Sequence, residues 1–134
     1  GPTYFVAAVA GPERALFRAE AEMGETRMRI AMTLDIQDGK LEKYHQHHIN
    51  SWPEVESALR SVGMRNLSLY SWGSRLFYYA EYVGTEPFED AMKRYAEMPR
   101  VKEWEELMHR YQKQLPGSSG DVWWQPMKEI YHQD

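Results

Sequence analysis

Residues 28–36 read Met-Arg-Ile-Ala-Met-Thr-Leu-Asp-Ile, and the alternation in this stretch decides the fold. Large apolar side chains stand at every second position, so all of them fall on one face of an extended chain. The run Gln37-Asp38-Gly39 that follows is typical of a turn, and Asp38 can cap the helix after it. The stretch therefore predicts a β-strand that is buried on one face and leads into a helix.

Downstream of this strand, the spacing of apolar residues predicts an alternation of helices and strands. A helix over residues 40–50 breaks near Pro53 and resumes, and strands over 64–71 and 76–83 then form a hairpin. A second helical region, interrupted at Pro99, follows, and the tail ends in a short strand. This order is that of a ferredoxin-like βαββαβ fold, so we predict an α+β domain with an antiparallel sheet.

The two faces of this sheet have different expected neighbours. Helices cover one face, and enough apolar residues remain to require a partner on the other. In the second strand we expect one side to carry Met64, Asn66, Ser68 and Tyr70. The opposite side should carry Leu67 and Leu69. Two such sheets paired face to face build a dimeric α+β barrel, so we expect a homodimer.

The chain length of 134 residues suits one domain with a core of its own. We place that domain at residues 27–134. Residues 1–26 are rich in Ala, Glu and Arg and are interpreted as an N-terminal extension. Two interpretations of this extension stay open, an accessory helix and the remnant of a leader.

Charge and composition exclude several classes of partner. The net charge is −4 and basic residues do not cluster, so neither nucleic acid nor an anionic membrane surface is an expected partner. The absence of cysteine excludes disulfides, thiolate catalysis and cysteine-based metal sites. The longest apolar window, residues 4–11, is too short to span a bilayer. We therefore expect a soluble, cytoplasmic protein.

The strongest candidate for chemistry is residues 44–54, Tyr-His-Gln-His-His-Ile-Asn-Ser-Trp-Pro-Glu. Tyr44 and His48 lie four residues apart and therefore share one helical face, whereas His47 lies on another. At most two of the three histidines converge, and no carboxylate stands nearby at the spacing of a zinc motif. The segment consequently disfavours a metal site.

Acid–base chemistry suits this segment better than metal binding. A histidine such as His48 gains and loses a proton near neutral pH, and Tyr44 beside it can bind a substrate hydroxyl. A half-buried histidine with satisfied hydrogen bonds is an equally good explanation of the same spacing. Tryptophan faces at Trp104, Trp123 and Trp124 suit stacking on a sugar ring, although core packing explains each of them as well.

These residues, taken with several others in order, resemble the L-rhamnose mutarotase family over about residues 29–132. The most specific motif is Tyr44-x-x-x-His48-x-x-x-Trp52-Pro53-Glu54. Supporting motifs are Gly63-x-x-Asn66, Arg75-Leu76-Phe77 with Glu81, the helix from Trp104 to Met108, and residues 127–132, which resemble the C-terminal strand of the family.

The resemblance implies a sugar mutarotase, an isomerase that interconverts the α and β anomers of L-rhamnose or a related deoxy-sugar. It implies a dimeric α+β barrel that works without a metal or a cofactor and binds a monosaccharide. His48 would then be the proton donor, Tyr44 would contact the substrate, and Trp104 would stack on it.

Two positions depart from the family pattern. A substrate tyrosine of the family corresponds to Leu67, and the second of two paired tryptophans corresponds to Glu105. Tyr70 is the nearest tyrosine on the same strand, so we take it as a further candidate substrate contact. Because of these departures, a non-catalytic sugar-binding module on the same fold is the alternative function.

Overall fold

Five strands and four helices make up residues 27–134, the part of the chain that the computed structural model describes. In chain order they are β1 (Met28–Ile36), α1 (Leu41–Ile49), α2 (Pro53–Ser61), β2 (Met64–Trp72), β3 (Arg75–Tyr82), α3 (Phe88–Glu97), α4 (Pro99–His109), β4 (Gln112–Lys113) and β5 (Gln125–Pro126). The predicted α+β class and the predicted order of elements are confirmed. The extension expected over residues 1–26 lies outside the described residues.

The strands form one antiparallel sheet in the order β2-β3-β1-β4, with β5 also paired to β1. This is the strand order of the predicted ferredoxin-like fold. The prediction of a terminal strand at residues 127–132 is wrong, since pairing with β1 falls at β4 and β5 instead. Pro126 has no N–H to donate, and the last backbone bond of the tail to β1 runs from Met127 N–H to the Ala31 carbonyl (2.8 Å).

The core lies between the sheet and the helices, as the alternation in β1 predicts. Leu34 and Ala80 are completely buried on the helix side of the sheet. On the opposite, open face of the sheet, Tyr70, Trp72 and Phe77 have exposed fractions of 63%, 82% and 36%. The described part of the chain therefore buries one face of its sheet and leaves aromatic side chains on the other.

A β-bulge in β2 changes which of its residues face the helices. The register shifts between Arg65 and Ser68, where Asn66 has a positive φ of 50°. Met64 pairs with Tyr82, whereas Tyr70 pairs with Phe77 on the open face. The expectation that Met64, Ser68 and Tyr70 share one side is wrong, because a bulge inserts one extra residue and reverses the alternation.

Prolines divide both helical regions, as predicted. Trp52 before Pro53 and Met98 before Pro99 have extended backbone angles, because proline excludes the helical conformation from the residue before it. The breaks bring the two segments together, since the rings of Trp52 and Trp104 pack edge to face with centroids 5.3 Å apart. The expected cap at Asp38 is wrong, because α1 begins after Lys40 without a side-chain cap.

Candidate active site

The predicted pair on α1 is present and tightly arranged. Tyr44 is buried, and its ring stacks on that of His48 with centroids 4.5 Å apart and planes 27° from parallel. The Nδ1 atom of His48 lies 2.9 Å from the backbone oxygen of Tyr44, one helical turn earlier. This bond and the ring stacking fix the orientation of the imidazole.

The same hydrogen bond defines the protonation of His48. A carbonyl oxygen only accepts, so Nδ1 carries the proton and Nε2 of the neutral ring is left with a free lone pair. Burial lowers the pKa of His48, and the neighbouring His47 and His45 lower it further, against the opposing effect of the Tyr44 carbonyl. At neutral pH the ring is therefore uncharged, with Nε2 as a proton acceptor.

Trp104 on α4 joins this pair from the other helical region. Its ring meets that of His48 nearly at a right angle, with centroids 5.3 Å apart. Trp52 packs on it in turn, and the guanidinium of Arg100 lies 4.1 Å above the Trp52 ring. The structure thus brings the rings of three of the four residues predicted for the site into contact, namely Tyr44, His48 and Trp104.

These residues line a cavity of about 1240 Å³ between the helices and the sheet. This exceeds the roughly 300–1,000 Å³ of a typical small-molecule site, so one monosaccharide fits with room for water. Further residues of its lining are Met32, Leu67, Tyr78, Glu105, Gln112 and Trp124. The cavity is therefore mainly apolar and aromatic, with a few polar groups.

Tyr70, the fourth predicted site residue, also borders this cavity, although its pairing places it on the open face of the sheet. Its partner in the register is Phe77, on the open face of the sheet, whereas Leu69 and Tyr78 pair on the helix side. Its side chain is also largely exposed. A substrate contact at Tyr70 therefore stays a prediction, with Tyr70 at the border of the cavity.

Gln112 is a polar residue of the cavity that the sequence did not reveal. It is only 2% exposed, and its Nε2 donates to the hydroxyl oxygen of Tyr44 over 3.1 Å. Its Oε1 is buried and has no hydrogen-bond partner in the described part of the chain. A buried acceptor without a donor is uncommon in native proteins, and here it offers a place for a ligand hydroxyl.

Glu105 is the second polar group that local sequence did not assign to chemistry. It lines the cavity next to Trp104, and its side chain is 23% exposed. Burial raises the pKa of Glu105 to about 7, so that the protonated and ionised forms both occur near neutral pH. Its carboxyl oxygen lies 3.8 Å from Nε2 of His109, whose own pKa is lowered, mainly by burial.

The two tryptophans of the tail have different neighbours. Trp124 lines the cavity and packs against Tyr78 with ring centroids 5.3 Å apart. Trp123 instead stacks flat on His109, with centroids 3.9 Å apart. Trp124 therefore supplies an aromatic face to the cavity from the tail, in addition to Trp104.

The other histidines of the segment do not converge on His48. His47 bonds through Nε2 to the hydroxyl of Tyr111 at 3.1 Å, and His45 is exposed. Within residues 27–134, no three His, Asp or Glu side chains come together in an arrangement that could hold a metal ion. The arrangement of His48, Tyr44 and Glu105 is instead one of proton donors and acceptors around a cavity.

The sequence as a whole matches a known family over most of its length. Residues 29–133 fit the sequence profile of L-rhamnose mutarotase, which is well over half of the chain. The chain belongs to the L-rhamnose mutarotase family. It is therefore assigned to the sugar mutarotases, which are isomerases that act at the anomeric carbon.

Two curated relatives of this mutarotase-family chain are similar along most of their length. A UPF0734 protein of Dictyostelium discoideum is 34% identical over 111 residues, covering 78% of this chain and 88% of the relative. The L-fucose mutarotase of Xanthomonas campestris pv. campestris is 36% identical over 109 residues, covering 77% of this chain and 86% of the relative.

A solved structure supports the fold of this family member. The L-rhamnose mutarotase of Formosa agariphila superposes with a TM-score of 0.63 at 21% identity, covering 80% of this chain and 99% of the neighbour. At this identity the likeness concerns the fold alone. No helix among the described residues is long and apolar enough to cross a membrane.

Proposed function

We propose that the protein interconverts the α and β anomers of L-rhamnose or a closely related 6-deoxy-sugar. The observation that carries the proposal is the oriented His48 imidazole, held between Tyr44 and Trp104 at the wall of the cavity. A polar proton-transfer group beside aromatic faces is what the opening of a sugar ring requires. Membership of a sugar mutarotase family supports the same activity.

The reaction explains why these residue types suffice. Mutarotation requires proton transfer at the ring oxygen and at the anomeric hydroxyl, after which the ring opens, the aldehyde rotates and the ring closes. A positioned acid or base such as His48 typically contributes about 10²–10⁴-fold to a rate. Trp104 and Trp124 offer flat faces for the pyranose, and Gln112 offers a buried acceptor for one of its hydroxyls.

The lining of the cavity favours a deoxy-sugar. Leu67 stands where the family resemblance implies a substrate tyrosine, and Leu69 and Met32 lie on the same lining. A methyl group such as the C6 of rhamnose or fucose is compatible with this apolar surface, whereas a hydroxymethyl group would lose hydrogen bonds to water there. The L-fucose mutarotase among the relatives is consistent with this substrate class.

The activity is tested by saturation-transfer NMR between anomers. We expect the protein to accelerate exchange of L-rhamnose, L-fucose or both well above the rate in buffer. L-mannose and L-galactose are matched controls, since each differs from its partner only by a hydroxyl at C6, and we expect slower exchange for both. Exchange no faster than in buffer for all four sugars would contradict the proposal.

A substitution at His48 tests the assignment of the reacting group. We expect His48→Gln to slow anomer exchange by about 10²–10⁴-fold, because glutamine cannot take up or release the proton. His47→Gln is the matched control, since its bond to Tyr111 can be kept by the amide and its rate should stay near wild type. Full activity of the His48 variant would contradict its role.

The alternative function, a non-catalytic sugar-binding module, is supported by the same cavity and by the buried Gln112 acceptor, which has no donor within residues 27–134. It predicts that a 6-deoxy-sugar raises the unfolding temperature of the protein while anomer exchange stays at the buffer rate. A thermal shift and an exchange measurement on one sample therefore distinguish the two functions.

The homodimer is part of the proposal. Tyr70, Trp72 and Phe77 form an aromatic surface on the open face of the sheet, and such a surface favours burial against a second copy. The pairing of two sheets through this face would produce the dimeric α+β barrel that the family resemblance implies.

A further inference from the structure

Two ionisable side chains, those of His48 and Glu105, line the same cavity. His48 is oriented so that Nε2 is free to accept a proton, because Nδ1 donates to the Tyr44 carbonyl. Glu105 approaches the cavity from α4, next to Trp104, whose ring touches that of His48. Chains of the family with a tryptophan in place of Glu105 would have no carboxyl group at this point.

We propose that Glu105 is the general acid of this enzyme and that His48 is its general base. The inference rests on the proposed mutarotase function and changes the role that the family resemblance implies for His48, from proton donor to proton acceptor. It assigns a catalytic task to a position at which the family resemblance predicts an aromatic contact.

The proposed step conserves protons and charge. The carboxylic acid of Glu105 gives its proton to the ring oxygen, and the bond between that oxygen and the anomeric carbon breaks. The anomeric hydroxyl gives its proton to Nε2 of His48, and the electrons of its O–H bond form the aldehyde C=O. The free aldehyde then rotates about the bond to C2.

Ring closure reverses both transfers on the other face of the aldehyde. The Glu105 carboxylate removes the proton from the C5 hydroxyl, whose oxygen attacks the aldehyde carbon. The aldehyde oxygen takes its proton back from the His48 imidazolium. While the ring is open, the carboxylate and the imidazolium carry opposite charges across one cavity, so each favours the charged form of the other.

The surroundings of Glu105 support the protonated form of its side chain. The titratable groups that face it are His109 on its own helix, Tyr44 on α1 and Tyr78 on β3. Burial lowers the pKa of His109, and burial together with the charge of Glu105 raises those of both tyrosines. None of the three is positively charged at neutral pH, so none offsets the effect of burial, which raises the pKa of Glu105 to about 7.

This division of roles predicts a bell-shaped pH profile. The rate falls above about pH 7, as Glu105 loses the proton that it must donate. It falls again at acidic pH below 6.5, as His48 with its lowered pKa becomes protonated and can no longer accept. If a protonated histidine were instead the sole proton donor, the rate would rise toward acidic pH and would not fall again there.

The test is saturation-transfer NMR on the full chain with L-rhamnose and L-fucose, from pH 5 to pH 9. We expect Glu105→Gln to slow exchange by about 10²–10⁴-fold and to remove the fall in rate on the alkaline side. Glu105→Asp keeps the acid and should retain part of the rate together with the alkaline fall. Glu106→Gln, an exposed neighbour on α4, is the control and should match wild type in rate and profile.

The outcomes separate this inference from the proposed function. If wild type exchanges the sugars and Glu105→Gln stays within about threefold of it, the inference is overturned and the mutarotase function stands. A slow Glu105→Gln variant that retains the alkaline fall would also overturn it, because the residue would then serve only to shape the cavity. If wild type does not exchange either sugar, the proposed function fails and the inference fails with it.

Discussion

At the scale of single residues, the cavity contains polar groups whose burial costs stability. The carboxyl of Glu105 lies in a mainly apolar cavity, and Gln112 keeps one buried acceptor without a protein donor in the described part of the chain. Neither arrangement favours folding, since burial of an incompletely paired polar group is unfavourable. Both are consistent with a cavity arranged for a polar ligand.

Glu105 should make the stability of the protein depend on pH. Its pKa rises from 4.5 to about 7 on folding, so the folded state binds more protons than the unfolded state between these values, and stability is lost as pH rises through them. We compare the free energy of unfolding of Glu105→Gln with that of wild type. We expect this difference to be about 1–3 kcal/mol more favourable to the variant at pH 8 than at pH 5. Urea unfolding of both proteins at the two pH values measures this difference.

Glu106→Gln is the matched control for this measurement, since Glu106 is exposed on the same helix. Its difference from wild type should be the same at both pH values. A stability difference for Glu105→Gln that does not change with pH would show that the carboxyl is not desolvated by the fold.

At the scale of elements, the turn between α2 and β2 depends on glycine. Gly63 follows α2 with a φ of +105°, and its N–H and C=O both bond to backbone, the carbonyl accepting from Val83 N–H over 2.8 Å. A Cβ at this position would lie 2.8 Å from the backbone nitrogen of Gly84. The turn therefore lies against the backbone that follows β3, where no larger side chain fits.

We expect Gly63→Ala to destabilise the protein by about 2–4 kcal/mol, because it adds a backbone clash to a strained conformation. Gly39→Ala is the control, since Gly39 has a φ of +77° but open space around it, and it should cost only about 1 kcal/mol. Urea unfolding of the two variants measures the difference. Equal losses would mean that the contact with Gly84 relaxes without cost.

At the scale of the whole molecule, the helices within residues 27–134 lie against one face of the sheet. Phe77 pairs with Thr33 on one side and with Tyr70 on the other, which places it in the middle of the open face. Trp72 lies at the end of the same face, paired with Arg75. This surface is the physical basis of the proposed homodimer.

Light scattering coupled to gel filtration should give a mass of about twice the 15.8 kDa of one chain. We expect Trp72→Glu combined with Phe77→Glu to give the mass of one chain, because two carboxylates per copy would have to be buried in the interface. Lys128→Glu, an exposed change in the tail, is the control and should keep the dimer. A single-chain mass for wild type would contradict the homodimer.

Much of the architecture follows from local sequence. The strand at residues 28–36 was predictable because its alternation matches the two-residue period of a pleated sheet, and both helix breaks follow from proline at positions 53 and 99. The pairing of Tyr44 with His48 was predictable for a similar reason, since four residues correspond to about one helical turn. These features depend only on neighbours in the chain.

Only the tertiary structure decided which other residues reach the cavity. Gln112 bonds to Tyr44 across 68 positions of sequence, and no local period links the two. The bulge near Asn66 placed Tyr70 on the open face, although simple alternation put it with Met64. The proton-transfer role proposed for Glu105 likewise depends on its burial, which raises its pKa. The sequence shows only that a glutamate stands where the family pattern has a tryptophan.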